Sequence, residues 1–339
     1  MEKEKLEKID SQGMHNIYDK WPEIAKTFYE KDLKKVNFSK IDHIVFAGMG
    51  GSGALGDVFA AILSKTDIHV VVVKGYHLPK TVDSNTLVVT ISISGNTDET
   101  LNVLKDAHKK DCKLISFSSG GRMEEFCKEK NIEFRKIDQF HSPRASFPSF
   151  LYSILNTLSP IIPIKEEQVK ESISNLKSLQ EKISSENILE KNPAIELASW
   201  IKNIPIIYYP WGLQSAAIRF KNALQENSKI HVILEDIVES CHNGIVAWEK
   251  KSDIQPIFIR GSEDHEKTKE KYKILGEYFK KNKIEYREID SVNGDVLSKI
   301  ISLIYLLDYS SIYKAVLNNI DPSPVKSIDF VKNRITKTV

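Results

Sequence analysis

Nine short apolar runs constrain the fold of this chain more than any other feature. Five of them lie in the first half and are rich in Val, Ile and Phe: DHIVFAG, IHVVVVKG, TLVVTIS, KLISFS and IEFRKI. The stretches between them are long enough for crossover helices. Near-continuous apolar strands that alternate with helices are typical of a parallel sheet covered on both faces. The sequence therefore predicts an α/β fold with mainly parallel sheets.

The other four runs, IPIIYYP, KIHVILE, IQPIFIR and IEYREI, lie in the second half. Between the halves, after Pro160 and Pro163, a polar stretch carries Leu and Ile at helical spacing, and residues 1–30 also have a helical pattern. A chain of 339 residues is long enough for two domains that each bury a core. We predict an N-terminal domain over 1–160, a helical connector over 161–192 and a C-terminal domain over 193–339.

Charge and cysteine content exclude several classes of function. The 48 basic and 46 acidic residues nearly balance, so no basic field favours binding to nucleic acid or to a membrane surface. The three cysteines are far apart and form no C-x-x-C pair, which argues against a disulfide framework or a zinc site. The N-terminal segment MEKEKLEKIDSQ has no apolar stretch of the signal-peptide kind. We expect a cytoplasmic protein.

The segment GMGGSG follows the first predicted strand and contains Gly48, Gly50 and Gly53 at the spacing of a dinucleotide-binding loop. Glycines there let the backbone approach a ligand, and the free amides of a helix start favour an anion. A dinucleotide site also needs an acidic residue at the end of the second strand. Lys74 and Gly75 occupy that position. Phosphate binding remains reasonable, with Ser52 as an additional donor, but the dinucleotide fingerprint is incomplete.

A second loop, SISGNT, follows the strand TLVVTI and precedes a helical pattern. Ser92, Ser94 and Thr97 place three hydroxyls around one glycine, which can surround a phosphate with neutral donors. For any single hydroxyl, capping of the helix is the commoner role. Because the whole cluster lies at the end of a second strand of the same sheet, a small phosphorylated ligand explains it better than capping or a dinucleotide.

GMGGSG and SISGNT together resemble the sugar isomerase domain. Four further segments, SPRASF, RFKNALQENSK, HNGIVAWE and DYSSIYKAVLNNIDPSPVKSIDFVK, narrow the resemblance to the archaeal-type bifunctional phosphoglucose/phosphomannose isomerases, over about residues 10–335. The resemblance implies two flavodoxin-like αβα sandwich domains. It also implies a cofactor-independent and metal-free isomerase that converts glucose 6-phosphate, and mannose 6-phosphate, to fructose 6-phosphate through a cis-enediolate.

The resemblance also assigns roles to individual residues. Glu226 matches the glutamate that moves the proton between C1 and C2, a task that suits a partly buried carboxylate. Arg144 matches the arginine that stabilises the enediolate. His242 and Lys332 match the ring-opening groups, with Lys326 as a rival to Lys332. The residues expected to bind the substrate phosphate lie in the two loops: Gly50, Gly51, Ser52, Ser92, Ser94 and Thr97.

Without the resemblance, each of these charged residues has an ordinary explanation. Glu226 is then explained as a solvated helix carboxylate. The residues alone do not distinguish it from Glu235 or Glu239. His242 and Lys332 read as surface residues. In the family a threonine near the D-P-x-P turn accompanies acceptance of mannose 6-phosphate, and the hydroxyl residue at that turn here is Ser323.

The resemblance further implies a homodimer in which His242 reaches into the active site of the partner subunit. Two other functions stay open at this point. The first is a phosphosugar-binding regulator that keeps the fold without the chemistry, although no effector or DNA-binding module is visible. The second is a nicotinamide-dependent dehydrogenase, which the glycine spacing suggests and the missing acidic residue disfavours.

Overall fold

The computed structural model describes residues 1–188 and 191–335. Three helices open the chain, within the stretch 1–30 that the sequence predicts to be helical. Pro22 lies in the first turn of the third helix, where no amide hydrogen is needed. These helices are α1 (Lys3–Ile9), α2 (Met14–Asp19) and α3 (Trp21–Glu30).

The first sheet contains five parallel strands in the order β2-β1-β3-β4-β5, which is the order of flavodoxin-like folds. All five predicted strands are present, and the two central ones, β1 and β3, are buried along their whole length. The elements of this unit are β1 (His43–Ala47), α4 (Gly50–Leu63), β2 (His69–Val73), β3 (Thr86–Ser92), α5 (Asp98–His108), β4 (Lys113–Ser118), α6 (Gly121–Glu129) and β5 (Glu133–Lys136).

Helices fill the middle of the chain. α7 is buried over nearly its full length, and α8 coincides with the polar segment that the sequence predicts to be helical. Asn192 caps the last of these helices by accepting hydrogen bonds from two backbone amides. The elements are α7 (Phe147–Thr157), α8 (Glu166–Ile183), a 3-10 turn (Ser185–Asn187) and α9 (Pro193–Trp200).

The second sheet has four parallel strands in the order β7-β6-β8-β9, which repeats the order of the first sheet. Its elements are β6 (Ile204–Tyr209), α10 (Gln214–Ala223), a π-helical turn (Leu224–Ser228), β7 (Ile233–Asp236), α11 (Ile237–Ser240), a 3-10 turn (Gly244–Glu249), β8 (Ile254–Arg260), α12 (Glu266–Lys281), β9 (Arg287–Asp290), α13 (Val296–Leu317) and α14 (Lys326–Lys332). The predicted class, two α/β units with mainly parallel sheets, is confirmed.

One predicted strand begins later than its apolar run. The run KIHVILE starts at Lys229, whereas β7 starts at Ile233. Lys229 has a positive φ of 59° and ends the π-helical turn, so the next three residues connect the turn to the strand. The strand is therefore shorter than its composition suggests.

The largest buried apolar cluster extends through both units, from Phe46 in β1 to Ile259 in β8. α13 runs through it and packs against α8, α9 and α10. This helix is long and apolar enough to cross a membrane, but 89% of its most apolar window is buried inside the protein. α13 is accordingly the central helix of the core, and α10, which packs against it, also packs against α4 of the first unit.

Candidate active site

Two loops meet where the strand order of the first sheet reverses, between β1 and β3. The loop after β1 enters α4 at Gly50, and the loop after β3 enters α5. The Ser52 hydroxyl oxygen accepts a hydrogen bond of 3.2 Å from the Ile93 amide. The two predicted phosphate loops are thus joined directly, at the edge of a parallel sheet where ligands of such folds bind.

The hydroxyls of the second loop take part in its own hydrogen bonds. Ser92 Oγ donates to Thr97 Oγ1 at 3.0 Å, so Thr97 is engaged with the loop as it enters α5. Ser94 is exposed, and its Oγ accepts a bond of 3.4 Å from the amide two residues on, which leaves the hydroxyl hydrogen able to face a ligand. Gly95 has a φ of 70°, and a Cβ there would overlap the carbonyl oxygen of Gly120. Only glycine fits this turn, and the turn is what presents the hydroxyls.

At the position where a dinucleotide site has an acidic residue, this chain has a lysine that forms an ion pair. Lys74, which follows β2, pairs with Asp57 of α4 at 2.6 Å. Burial raises the pKa of Asp57, and the Lys74 ammonium opposes that shift. The Lys74 side chain also passes Gly53, where a Cβ would lie 3.2 Å from Lys74 Cε. The residue at the position of the ribose-binding acid is therefore a lysine engaged in an ion pair with α4.

Arg144 connects the two halves of the molecule. It lies between β5 and α7, is only 6% exposed, and uses all three of its nitrogens. Nε donates to Asn227 Oδ1 at 2.7 Å, and Nη1 donates to Glu226 Oε2 at 3.2 Å. Nη2 donates to the carbonyl oxygens of Pro322 and Ser323 at 2.8 and 2.9 Å. The predicted arginine and the predicted base are therefore in direct contact.

Glu226 lies in the π-helical turn that ends α10. Such turns are rare and often occur at functional sites, because the extra residue redirects side chains out of the helical register. Asn227 Nδ2 donates to Ser311 Oγ at 2.8 Å, and Ser228 Oγ donates to the Ser311 carbonyl at 2.6 Å. Both residues that follow Glu226 are thus anchored on α13, while Glu226 keeps a side chain that is 28% exposed.

The lysines near this site differ in their surroundings. Lys229 Nζ donates to the carbonyl oxygens of Glu226 and of Pro324, and burial lowers the pKa of Lys229. Lys326 and Lys332 are exposed at the two ends of α14. Within residues 1–188 and 191–335, neither makes a hydrogen bond to Glu226. The structure therefore leaves both candidates for the ring-opening lysine outside the Arg144 network.

His242 is exposed in the turn after α11. Its backbone amide donates to the Glu239 carbonyl oxygen at 2.8 Å, which holds the turn in place. Within the described ranges, its side chain makes no hydrogen bond to Arg144 or Glu226. Within the described residues, one chain therefore joins the two predicted phosphate loops and brings Arg144 to Glu226, while His242 is exposed and not bonded to either.

The sequence reasoning missed a buried ion pair beside this site. Arg219 of α10 donates from Nε and Nη2 to Asp308 Oδ2, at 2.9 and 2.7 Å. Both residues are buried, and burial raises the pKa of Asp308 while Arg219 opposes that shift. Two charges beside apolar residues in the sequence could have indicated this pair. Asp308 interrupts the run LIYLLDY, and Arg219 precedes the buried Phe220. Buried charges are seldom tolerated without a partner.

No group of three or more His, Cys, Asp or Glu side chains that could hold a metal ion occurs within residues 1–188 and 191–335. The polar groups at the junction of the two units include hydroxyls, backbone amides, the guanidinium groups of Arg144 and Arg219, and the partly exposed Glu226 carboxylate. Hydroxyls, amides and guanidinium groups bind phosphate and negatively charged oxygens. The carboxylate can accept and return a proton.

Comparisons with known proteins find two matching families and several similar chains. Residues 37–142 match the SIS domain family, and residues 190–335 match the family described as the bacterial phospho-glucose isomerase C-terminal SIS domain. A bifunctional phosphoglucose/phosphomannose isomerase of Caldicellulosiruptor bescii is 35% identical over 330 residues, which cover 93% of this chain and 97% of the relative. Another, of Thermoplasma acidophilum, is 31% identical and covers 87% of this chain and 90% of the relative.

The fold also matches solved structures. A hypothetical protein of Thermus thermophilus superposes with a TM-score of 0.73 at 13% sequence identity, and the match covers 97% of this chain and 92% of that one. At this identity the likeness concerns the fold alone. It agrees with the two-sheet architecture described above.

Proposed function

The chain belongs to the bifunctional phosphoglucose/phosphomannose isomerase family, and from this premise we propose that it interconverts glucose 6-phosphate and fructose 6-phosphate, and also accepts mannose 6-phosphate. The observation that carries the proposal is the contact of 3.2 Å between Arg144 and Glu226. It puts a carboxylate and a guanidinium side by side next to two anion-binding loops. An aldose–ketose isomerisation needs these groups together.

Glu226 is the base in this proposal. It takes the proton from C2 of the open-chain aldose and returns it to C1, so that a single carboxylate serves both carbons. The intermediate enediolate carries negative charge on O1 and O2, and the Arg144 guanidinium stabilises that charge as it develops. Its bonds to Asn227 and to the turn at Pro322 hold the guanidinium in a fixed orientation.

The phosphate lies at the two loops in this proposal. The N-terminal amides of α4 and α5 provide partial positive charge, and the hydroxyls complete the site. The bond between Ser52 and the Ile93 amide supports a single site rather than two. The groups that we assign to the phosphate are Gly50, Gly51, Ser52, Ser92, Ser94 and Thr97.

We assign ring opening to His242 and Lys332, and we propose that the protein is a homodimer in which His242 serves the partner's site. The exposure of His242 supports a role between subunits. Large apolar side chains are exposed on the same two elements: Val246 (58%) follows His242, and Phe330 (58%) lies on α14 with Lys332. Such side chains are favourable to bury against a second subunit. Specific activity should then fall on dilution below the dimer dissociation constant.

The direct test is a metal-free assay of purified protein with glucose 6-phosphate and, separately, mannose 6-phosphate, with detection of fructose 6-phosphate. Product from glucose 6-phosphate supports the proposal, and product from mannose 6-phosphate supports the second activity. No product from either substrate would refute the isomerase. We place the enzyme in the cytoplasm, where its sugar phosphates enter glycolysis and gluconeogenesis.

The alternative is a regulator that binds phosphosugars without converting them. A regulator has no need of a proton-transferring carboxylate. Glu226→Gln should therefore leave its ligand response unchanged, whereas an isomerase should lose turnover and still bind fructose 6-phosphate. Calorimetric titration of the variant with fructose 6-phosphate, together with the turnover assay, separates the two functions.

A further inference from the structure

Arg219 is buried, and several neighbouring groups contact its guanidinium. It is 2% exposed, and Asp308 accepts hydrogen bonds from its Nε and Nη2. Nη2 also donates to the Arg144 carbonyl at 2.7 Å, and the guanidinium lies over the Phe147 ring at 4.7 Å from its centroid. One edge and one face of the guanidinium are therefore fixed by its neighbours.

The opposite edge of the guanidinium, at Nη1, faces the first phosphate loop. A Cβ built on Gly51 would lie 3.4 Å from Arg219 Nη1, 3.7 Å from the Pro143 carbonyl oxygen and 3.9 Å from Arg144 Cα. Nη1 thus points at the small space between the loop and the Arg144 segment. Within residues 1–188 and 191–335, it makes no hydrogen bond to the protein.

Nη1 is the one nitrogen of this guanidinium that has no acceptor within the described residues, and it is not sealed from solvent. Donors are nearly always satisfied by protein, water or ligand, so a ligand oxygen can take the place of water at Nη1. Asp308 fixes the other edge and prevents Nη1 from turning toward a protein acceptor. Nη1 is thus a hydrogen-bond donor that is fixed in position and can bind an oxygen of a ligand.

We propose that Arg219 is a substrate-binding residue: its Nη1 donates a hydrogen bond to an oxygen of the bound hexose phosphate beside Gly51. Asp308 is a positioning residue that orients the guanidinium for this contact. This inference rests on the proposed function, because it uses the same site and the same ligand. It adds a second guanidinium to the site, on the side of Arg144 that faces the phosphate loop.

The test compares Arg219→Lys with the unaltered enzyme. Lysine keeps the charge and can still pair with Asp308, but it lacks Nη1. A lost charge-assisted hydrogen bond predicts a rise in KM for fructose 6-phosphate of about 10-fold to 100-fold, with a smaller change in kcat. Arg135→Lys is the matched control, because Arg135 is also buried and paired with a carboxylate, Glu133, but lies on β5. Its KM should equal that of the unaltered enzyme.

Inorganic phosphate, used as a competitive inhibitor, identifies the end of the substrate involved. If its inhibition constant rises in Arg219→Lys together with KM, the contact is to the phosphoryl group. If only KM rises, the contact is to the sugar. Both results support the proposal, and a folded Arg219→Lys enzyme with unaltered KM and inhibition constant overturns it.

If the proposed function is wrong, the unaltered protein will show no turnover at all. That result is distinct from a failure of the Arg219 assignment, in which the unaltered protein still turns over substrate. A structure of the unaltered protein with bound fructose 6-phosphate gives a second measurement that does not require the variant to fold. A substrate oxygen within hydrogen-bonding distance of Nη1 supports the assignment. A bound substrate whose oxygens all lie beyond that distance contradicts it.

Discussion

The two α/β units have the same strand order around their first strand, but the proposed function uses opposite ends of the helix that follows it. In the first unit, the proposed site lies at the start of α4, where Gly50 and Gly51 carry no side chain. In the second unit, the start of α10 follows an exposed Trp211 and contributes no predicted site residue. There the site residue, Glu226, lies in the π-helical turn at the other end of the helix.

Helix polarity explains this division. The start of a helix has free amides and favours an anion, so α4 suits a phosphate. The end of a helix has free carbonyls and does not favour a phosphate, so it can carry a carboxylate base without competing for the ligand's anionic group. α4 and α10 pack against each other, and Gly51 lies beside Arg219. In the proposed function, the same topology therefore supplies a binding half and a reacting half.

The largest expected effect is the fall in kcat when the proposed base is removed. Glu226→Gln replaces the base by an amide of similar shape and should lower kcat by about 10²-fold to 10⁴-fold, the usual contribution of a general base. KM should change little, because the binding half is intact. Initial rates with glucose 6-phosphate measure both constants.

Glu270→Gln is the matched control for this variant. Glu270 is an exposed carboxylate on α12 that pairs with Lys267, so its removal should leave kcat unchanged. Equal kcat in the Glu226→Gln variant and the control would refute the assignment of Glu226 as the base.

The second prediction concerns Arg144, which connects the two units. Arg144→Lys keeps a positive charge but cannot replace the four hydrogen bonds that the guanidinium makes to the second unit. We expect kcat/KM to fall about 10²-fold, as for loss of one preoriented donor to a developing oxyanion. A value of kcat/KM within a factor of about two of the unaltered enzyme would argue against a role in the reaction.

The third prediction tests the unequal use of the two helix starts. Ser52 and Ser215 are both buried hydroxyl residues in the first turns of α4 and α10. Ser52→Ala removes the acceptor of the Ile93 amide and should raise KM about 10-fold, as for one lost hydrogen bond. Ser215→Ala should leave KM unchanged. Equal effects of the two substitutions would contradict the division into a binding and a reacting half.

The sequence predicts the frame of the molecule better than its site. The strands at the centre of the sheets are found because their apolar runs are nearly continuous, as burial requires, and the edge strands β5 and β9 are found although they carry charged residues. Glu226 and Arg144 were identified from motifs, and no periodicity places residues 82 positions apart in contact. The π-helical turn could not be predicted either, since it depends on bonds from Asn227 and Ser228 to α13.

The Arg219 pair shows a different limit of sequence reasoning. A single charge in an apolar helix indicates a buried partner but does not identify it, because the partner can lie anywhere in the chain. Asp308 is 89 residues from Arg219. Only the packing of α10 against α13 brings the two together.

The smallest expected effect concerns a histidine in the segment between β5 and α7, which also contains Arg144. His141 lies near Arg144, and its Nε2 is 3.2 Å from Ser323 Oγ in the D-P-S-P turn. Burial, aided by the Arg144 charge, lowers the pKa of His141 below its ordinary value of 6.5, while Asp10 and Asp321 oppose the shift.

Because the unfolded chain binds this proton more readily than the folded protein, the contribution of His141 to stability is complete above pH 6.5 and is lost as the pH falls through the lowered pKa. His141→Gln should therefore flatten the fall in Tm on acidification by no more than about 3 °C. Thermal melts between neutral and mildly acidic pH measure the slope, with the exposed His77→Gln as control. An unchanged slope in His141→Gln would show that the contact between the segment and the turn does not respond to the protonation of this histidine.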